Sequence, residues 1–325
     1  MDPLSDVLSL LKPRSYVSGG FDVGGKLAVR FGRHDGIKCY AVVSGQIWLA
    51  VEGVAEAVRL KTGDCFLLPR GWPFRLATDL TAPPIDALSI LATARRIGGV
   101  VTVNGGGDCL VVGGHFALSG DHAGMLLGVL PPIVHIRKES DKAAMRWSLE
   151  RMRQELHECQ PGGFLMAQHL AHLMLLQALR LHLAEGSAGG VGWLFALADK
   201  NMGAAITAIH DAPAHRWTLK ALAERAGVSR SIFALRFKER VGASPMEYLT
   251  RWRMMLAGDR LMNSSDPVTI IARSVGYESE SAFSTAFKRV MGCSPRQYGR
   301  GRNPASPPRR EEDAARANRL EPVAG

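Results

Sequence analysis

The sequence predicts an α+β chain of several domains. An N-terminal antiparallel β-barrel or sandwich is followed by a pair of helices and then by an all-α domain with two helix-turn-helix units. Three observations predict this. A stretch of the C-terminal third is written twice. Short apolar runs between Gly-rich turns fill residues 26–118. From Asp141 the apolar period becomes helical.

The repeat sets the frame. One copy carries Leu222-Ala223, Gly227, Ser229, Phe233, Phe237-Lys238, Gly242, Ser244-Pro245 and Tyr248. The other carries Ile271-Ala272, Gly276, Ser279, Phe283, Phe287-Lys288, Gly292, Ser294-Pro295 and Tyr298. The offset is 49 up to the glycine of the turn and 50 from the serine onward, so the second turn holds one extra residue. A repeat of this kind is a supersecondary unit used twice.

Composition narrows the function classes. The 325 residues leave room for two or three domains, and 46% apolar with 22% charged residues is ordinary for a globular protein. The longest apolar runs are interrupted by Gly, His or charge well short of a membrane span. Met1-Asp2-Pro3-Leu4-Ser5-Asp6 lacks the basic start of a signal peptide. Cys39, Cys65, Cys109, Cys159 and Cys293 are odd in number and without CxxC spacing. That pattern suits free thiols in a reducing cytoplasm and argues against a disulfide frame or zinc site. Net charge is +10. Residues 216–302 hold 16 Lys/Arg against 7 Asp/Glu, so nearly all the excess sits on the repeat. A basic surface can serve solubility alone, but coinciding with a helix-turn-helix repeat it reads as a phosphate-binding footprint.

In chain order, Leu4, Val7, Leu8, Leu10 and Leu11 form a short amphipathic helix that Pro13 ends. Strand-like runs follow at 26–31, 40–43, 47–51, 57–60, 65–68, 74–77, 85–92, 100–103 and 110–112, with turns at Gly45, Gly53, Gly63-Asp64, Gly71, Asn104-Gly105 and Gly113-Gly114. Inside such a fold Tyr40, Trp48, Trp72, Phe74 and His115 are candidates to line a ligand pocket; the alternative is that they fill the core. Pro131-Pro132 closes the β part. Met145, Leu149, Met152 and Leu156 mark one helix and 164–184 a second, apolar on more than one side. Such a pair buries its faces either against a second protomer or against the β part of the same chain. His169 and His172 lie three apart on it, and without a further ligand in register they read as an ordinary helix face rather than a metal site. Gly186-Ser187-Ala188-Gly189-Gly190 is a flexible linker. Residues 204–210 form a short helix.

Thr218 caps a helix that runs through Leu222 and Ala223, Gly227 makes the left-handed turn, and Ser229 caps the next helix. Phe233 and Phe237 face the core one turn apart, which leaves Arg230, Ser231, Ala234, Leu235 and Lys238 outward. In the second copy Ser279 is the cap, and Glu280, Ser281, Ser284, Thr285 and Lys288 point outward. A helix of this length fits a major groove about 12 Å wide. Residues 245–262 form one long helix between the units, which should hold the two readers about 34 Å apart, one turn of DNA.

Ile270-Ile271-Ala272, Gly276-Tyr277, Ser279, Phe283, Phe287-Lys288 and Gly292-x-Ser294-Pro295-x-x-Tyr298 resemble the signature of the AraC/XylS family of bacterial transcription regulators. The stretches 40–49 and 60–74, with Gly113-Gly114-His115-Phe116 and Leu130-Pro131-Pro132, resemble the cupin-type sensor of one branch of that family, which implies a jelly-roll barrel. The resemblance covers roughly residues 10–300 and divides the chain into a cupin-like sensor (1–135), a helical dimerisation segment (136–186), a linker (187–192), an AraC-type DNA-binding domain (193–302) and a disordered tail (303–325). Enzymatic cupins place histidine ligands where this chain has Tyr40 and Phe74, so neither a metal nor another cofactor is expected, and no catalysis.

The resemblance implies double-stranded promoter DNA, a second copy of the chain and RNA polymerase as partners, with a small-molecule effector in the sensor and no membrane. It places base reading on Ser231, Ala234 and Leu235 in the first unit and on Ser281, Ser284 and Thr285 in the second. Many relatives carry Arg or Gln at the positions of Ser231 or Leu235; here no bidentate arginine contact to guanine is available, and Leu235 can touch only a thymine methyl. Phosphate contacts fall to the helix starts capped by Ser229 and Ser279 and to Arg230, Arg236, Lys238, Lys288 and Arg289. On this reading the second unit anchors the register and the first discriminates. A cupin enzyme with a DNA-binding appendage is the rival class, disfavoured by the missing ligands. A charge-driven nucleoid binder is a third, disfavoured by the ordered repeat.

Overall fold

The computed structural model describes residues 2–11, 14–97, 99–117, 130–158, 160–185 and 192–300. The linker at 186–190 and the tail at 303–325 lie outside the described residues. The chain forms two compact units, Met1–Leu249 and Thr250–Gly325. The division falls inside a helix, whereas the sequence places its break at 187–192.

The first unit opens with α1 (Pro3–Leu11), which buries Leu4 and Val7. Among the described residues twelve strands follow: β1 (Arg14–Val23), β2 (Ala28–Phe31), β3 (Ile37–Ser44), β4 (Gln46–Val51), β5 (Val58–Lys61), β6 (Cys65–Leu68), β7 (Phe74–Ala77), β8 (Pro84–Asp86), β9 (Arg95–Ile97), β10 (Val100–Val103), β11 (Cys109–Ala117) and β12 (Val134–Ile136). They make two sheets, ordered β12-β6-β3-β11-β1-β10-β9 and β5-β4-β7-β2-β8. This corrects the antiparallel barrel. The sheets are separate and mixed, because β1 pairs parallel with β10 and β2 with β8. Alternation of apolar residues fixes which face of a strand is buried, but not which neighbour it pairs with or in which direction.

The core lies between the sheets. Ile47, Leu49 and Val51 of β4 meet Tyr40, Val42, Phe66, Leu68 and Val111 from the other sheet. The run 85–92, read as a strand, is mostly the helix α2 (Ala87–Thr93), started by Asp86, whose side chain accepts from the Leu88 amide at 2.9 Å. Ala and Leu favour helix once such a cap is present, and a short apolar run does not distinguish the two states.

Two helices cover the outer face of the larger sheet, α3 (Glu139–Glu158) and α4 (Gly163–Glu185). They pack on each other, and α4 lies across β1, β3, β6, β11 and β12 of its own chain. Gly114 eases this seat: a Cβ there would stand 3.0 Å from that of Ala171 on α4, and the helix would have to give by a few tenths of an ångström. Burial raises the Asp64 carboxyl, but the Lys61 amide, Lys142 and His135 outweigh it and the net shift is downward. With His135 Nε2 at 3.0 Å and Lys142 Nζ at 2.9 Å, Asp64 ties β12 and α3 to the β5–β6 turn.

The first unit ends in α5 (Trp193–Ala196), α6 (Lys200–Asp211), α7 (Leu219–Arg225) and α8 (Arg230–Val241), and then enters α9 (Pro245–Asn263), within which the division falls. The second unit continues from α9 through α10 (Val268–Ser274), α11 (Glu280–Met291) and α12 (Pro295–Gly299). Among the described residues no helix is long and apolar enough to cross a membrane.

Candidate nucleic-acid interface

Each unit contains one helix-turn-helix built by the same local chemistry. In the first, the Thr218 hydroxyl accepts from the Ala221 amide at 3.1 Å and starts α7. Gly227 turns the chain with φ 66°, a conformation costly for any side chain with a Cβ. The Ser229 hydroxyl then accepts from the Ile232 amide at 3.4 Å to start α8. Gly242, with φ 80°, ends that helix by donating its amide to the Lys238 carbonyl.

The second unit repeats the device with Gly276 (φ 84°) and the Ser279 hydroxyl, which accepts from the Ala282 amide at 3.2 Å. Gly292 (φ 77°) then donates to the Lys288 carbonyl. Its α10 starts at Pro267 without a side-chain cap.

The phenylalanine pairs fix the angle of each second helix. Phe233 and Phe237 are fully buried with ring centroids 5.4 Å apart, and Phe237 meets Tyr248 at 5.9 Å. Phe283 and Phe287 are equally buried at 5.5 Å, and Phe287 meets Tyr298 at 5.5 Å. Arg253, its guanidinium 5.8 Å from the Tyr277 ring, braces the second core.

With one face thus committed, the rest of each helix is presented outward. On α8, Arg230, Ser231, Leu235, Arg236 and Lys238 are exposed and Ala234 is half-buried. On α11, Ser281, Thr285, Lys288 and Arg289 are exposed and Ser284 is half-buried. The cap serines Ser229 and Ser279 stand at the exposed starts of the two helices.

Two positions differ from the outward sets read in the sequence. Glu280 is not a free outward group: its carboxylate accepts from Thr269 Oγ1 at 2.6 Å and lies 3.8 Å from Arg296. Ile232 is 46% exposed beside Leu235 at 60%, three residues apart on one face. The signal for Ile232 was present, since neither Phe233 nor Phe237 can share its face at 100° per residue.

Of the five aromatic and histidine candidates of the N-terminal part, Tyr40 and Phe74 lie in one core with the partly buried Trp72 packed against it. Tyr40 and Phe74 belong to the sealed core, with Phe74 stacked on Phe31 at 4.5 Å. Trp48 and Trp72 lie under the guanidinium groups of Arg59 and Arg70, at 5.7 and 5.5 Å. His115 Nε2 bonds the Asp35 carbonyl at 2.5 Å, and its ring faces that of His34 at 5.4 Å. Burial, with Lys38 nearby, holds His34 down to about 3 and His115 to about 4. A space lined by Phe21, Leu27, Ile47, Leu76 and Val111 has a volume of about 10 Å³, room for one water at most. Among the described residues no group of three or more His, Cys, Asp or Glu is placed to hold a metal ion. His172 donates through Nδ1 to the Gln168 carbonyl at 2.8 Å and packs on Phe116.

Two Ser-capped helices, each offering a polar and cationic outer face from a phenylalanine-anchored core, define a DNA-binding transcription regulator. Comparison with known proteins agrees. The family described as Cupin matches residues 2–184, and the family described as Helix-turn-helix domain matches residues 222–301. An AraC-like transcription regulator of Streptomyces antibioticus is 44% identical over 299 residues, 92% of this chain and 98% of that protein. A counterpart in Streptomyces lividans is 43% identical over the same shares. The HTH-type transcriptional regulator AlkR of Acinetobacter baylyi is 32% identical over 73% of this chain and 79% of its own length. The chain belongs to the AraC-like family of transcription regulators, with an N-terminal cupin domain.

Proposed function

We propose that the chain acts in the cytoplasm as a homodimer on double-stranded promoter DNA, through the domain at 193–302, with α8 and α11 each entering a major-groove segment. The observation that carries this is the pair of exposed faces left by the two phenylalanine anchors. Ser231, Ala234 and Leu235 on α8, and Ser281, Ser284 and Thr285 on α11, meet base edges. Arg230, Arg236, Lys238, Lys288 and Arg289, with the helix starts at Ser229 and Ser279, meet phosphates. RNA polymerase is recruited or blocked by the bound protein, and a small-molecule effector sets its activity.

Dimerisation uses the segment 136–186. Most of its apolar surface is spent on its own sheet, but Trp147 on α3 and Phe164, Leu165 and Met166 on α4 remain exposed. Sedimentation of W147E and F164E variants tests the interface: both stay dimeric if it lies elsewhere. For the DNA reading, sites are selected from a random duplex pool and affinity is compared with unrelated DNA. A ratio above about 10³ is expected, and a ratio near unity would mean a charge-driven binder.

A further inference from the structure

Of the two outward-facing helices of the repeat, only α8 exposes large apolar side chains. Ile232 and Leu235 are 46% and 60% exposed, whereas α11 exposes none among the described residues. Single aliphatic side chains at a surface are common and call for no explanation. These two are neighbours. Three residues apart on a helix, they sit about 60° apart around its axis, with Cβ atoms about 5–6 Å from each other.

They also hold the middle of the outward face, because the fully buried Phe233 and Phe237 fix the opposite side. Ser231 beside them is small, and Ala234 is half-buried and carries only a methyl, so neither reaches as far outward. The exposed cations Arg230, Arg236 and Lys238 surround the pair. Glu239 is exposed too, but it stands in the C-terminal half of α8, away from the half that reaches base edges.

An apolar pair ringed by cations matches a polyanion with apolar groups inside its reach. Duplex DNA presents one such group on the floor of the major groove, the C5 methyl of thymine. The other base-edge groups there are hydrogen-bond donors or acceptors. Covering those with an aliphatic side chain removes their water and returns no hydrogen bond. Against a methyl, the same side chain takes apolar surface of both partners out of water.

We propose that Ile232 and Leu235 form a methyl reader that recognises two thymines within three consecutive base pairs. This rests on the DNA reading above and adds to it a further reading residue, Ile232, and the chemical group that is read. The span follows from dimensions. Base pairs rise about 3.4 Å each, so a Cβ separation of about 5–6 Å bridges one or two steps. Arg230, Arg236 and Lys238 then face the phosphates that wall the groove. The second unit has Ala282 in place of Ile232 and reads no such pair.

The test uses the full chain and, as probe, the duplex that it selects from a random pool. Each thymine of that duplex is replaced in turn by uracil, which deletes the C5 methyl and keeps every hydrogen-bonding group of the base. At two thymines within three consecutive base pairs, uracil should weaken binding about fourfold each and about 15-fold together, the effect of one buried methyl-sized group apiece. I232A should abolish the penalty at one of these positions and L235A at the other. Both side chains are exposed, so the variants should fold, which a thermal melt verifies; the uracil scan of the parent chain needs no variant.

Uracil without effect at every position overturns the proposal, as do penalties that persist in both variants. A single sensitive position, lost in L235A and kept in I232A, removes Ile232 as a reader and overturns the pair. Unchanged affinity of I232A/L235A for the selected duplex would set the aliphatic pair against a protein instead, and overturns it as well. The DNA reading fails separately. A chain that selects no sequence sinks both, whereas selection without methyl sensitivity sinks the methyl reader alone.

Discussion

The two helix-turn-helix units share a frame and differ in what they leave exposed. Both use a serine cap, a buried phenylalanine pair and a left-handed glycine stop. Position 236 on α8 is an exposed arginine, while its counterpart Ala286 is buried in the second core, together with Phe283 and Phe287. Position 232 is a half-exposed isoleucine, while its counterpart is Ala282. On α11, Glu280 is held by Thr269. The second unit thus keeps a small hydroxyl-bearing face over a wide apolar base. The first puts two aliphatic side chains and an extra cation outward. Repetition conserves how a helix is held; the chemistry it offers is free to diverge.

The shared frame can be broken first, and with the largest effect. F237A and F287A each remove a fully buried ring and should each cost about 3–5 kcal/mol in urea unfolding. Losses that differ by more than about 2 kcal/mol would show that the two anchors are not equivalent.

The divergent faces come next. L235R supplies a bidentate donor and should move base preference at one position by about 1–3 kcal/mol, read by site selection; T285R, in the anchoring unit, should move it less. Equal shifts would end the division of labour between α8 and α11.

A third contrast is acid sensitivity. Tyr248 is hydrogen-bonded to His210, whereas the second unit contains no histidine. Burial lowers His210 to about 3 in the folded chain, against about 6.5 unfolded. Below pH 6.5 the unfolded state binds the extra proton. The stabilisation is therefore complete above that pH and is lost as pH falls toward 3, by up to about 1.4 kcal/mol per unit. His34 and His115 add to the loss in the same direction. Urea midpoints followed between pH 7 and 5 should fall for the parent chain and fall less steeply for H210Q. Identical slopes would remove His210 from the account.

The smallest effect is a test of sameness. K238A and K288A should each flatten the salt dependence of DNA binding by about one unit and weaken all sequences alike. A base-specific loss from either would make that lysine a reader.

Much of this was legible in the chain. Thr218, Ser229, Gly227, Gly276 and the phenylalanine spacing encode the helix-turn-helix units through local rules of capping, φ and periodicity, and the structure follows them. Strand positions such as 65–68 and 74–77 were equally plain. Partner choice was not, because the parallel pairings of β1 with β10 and β2 with β8 depend on contacts about 80 and 56 residues apart in the chain. Nor did the run 85–92 disclose its helix, since apolar length without a visible cap role for Asp86 fits both states. At the interface, outward positions followed from the buried ones. The role of Glu280 did not, because its partner Thr269 sits on a different helix.

One earlier detail reaches further than its size. The helix α4 rests on the bare backbone at Gly114, touching it at Ala171, close to the middle of its 23 residues. A Cβ at residue 114 would stand 3.0 Å from that of Ala171, so any side chain there would press the helix away from the sheet by a few tenths of an ångström. Residue 114 thus acts as a spacer whose thickness, one hydrogen atom, sets how closely helix and sheet meet.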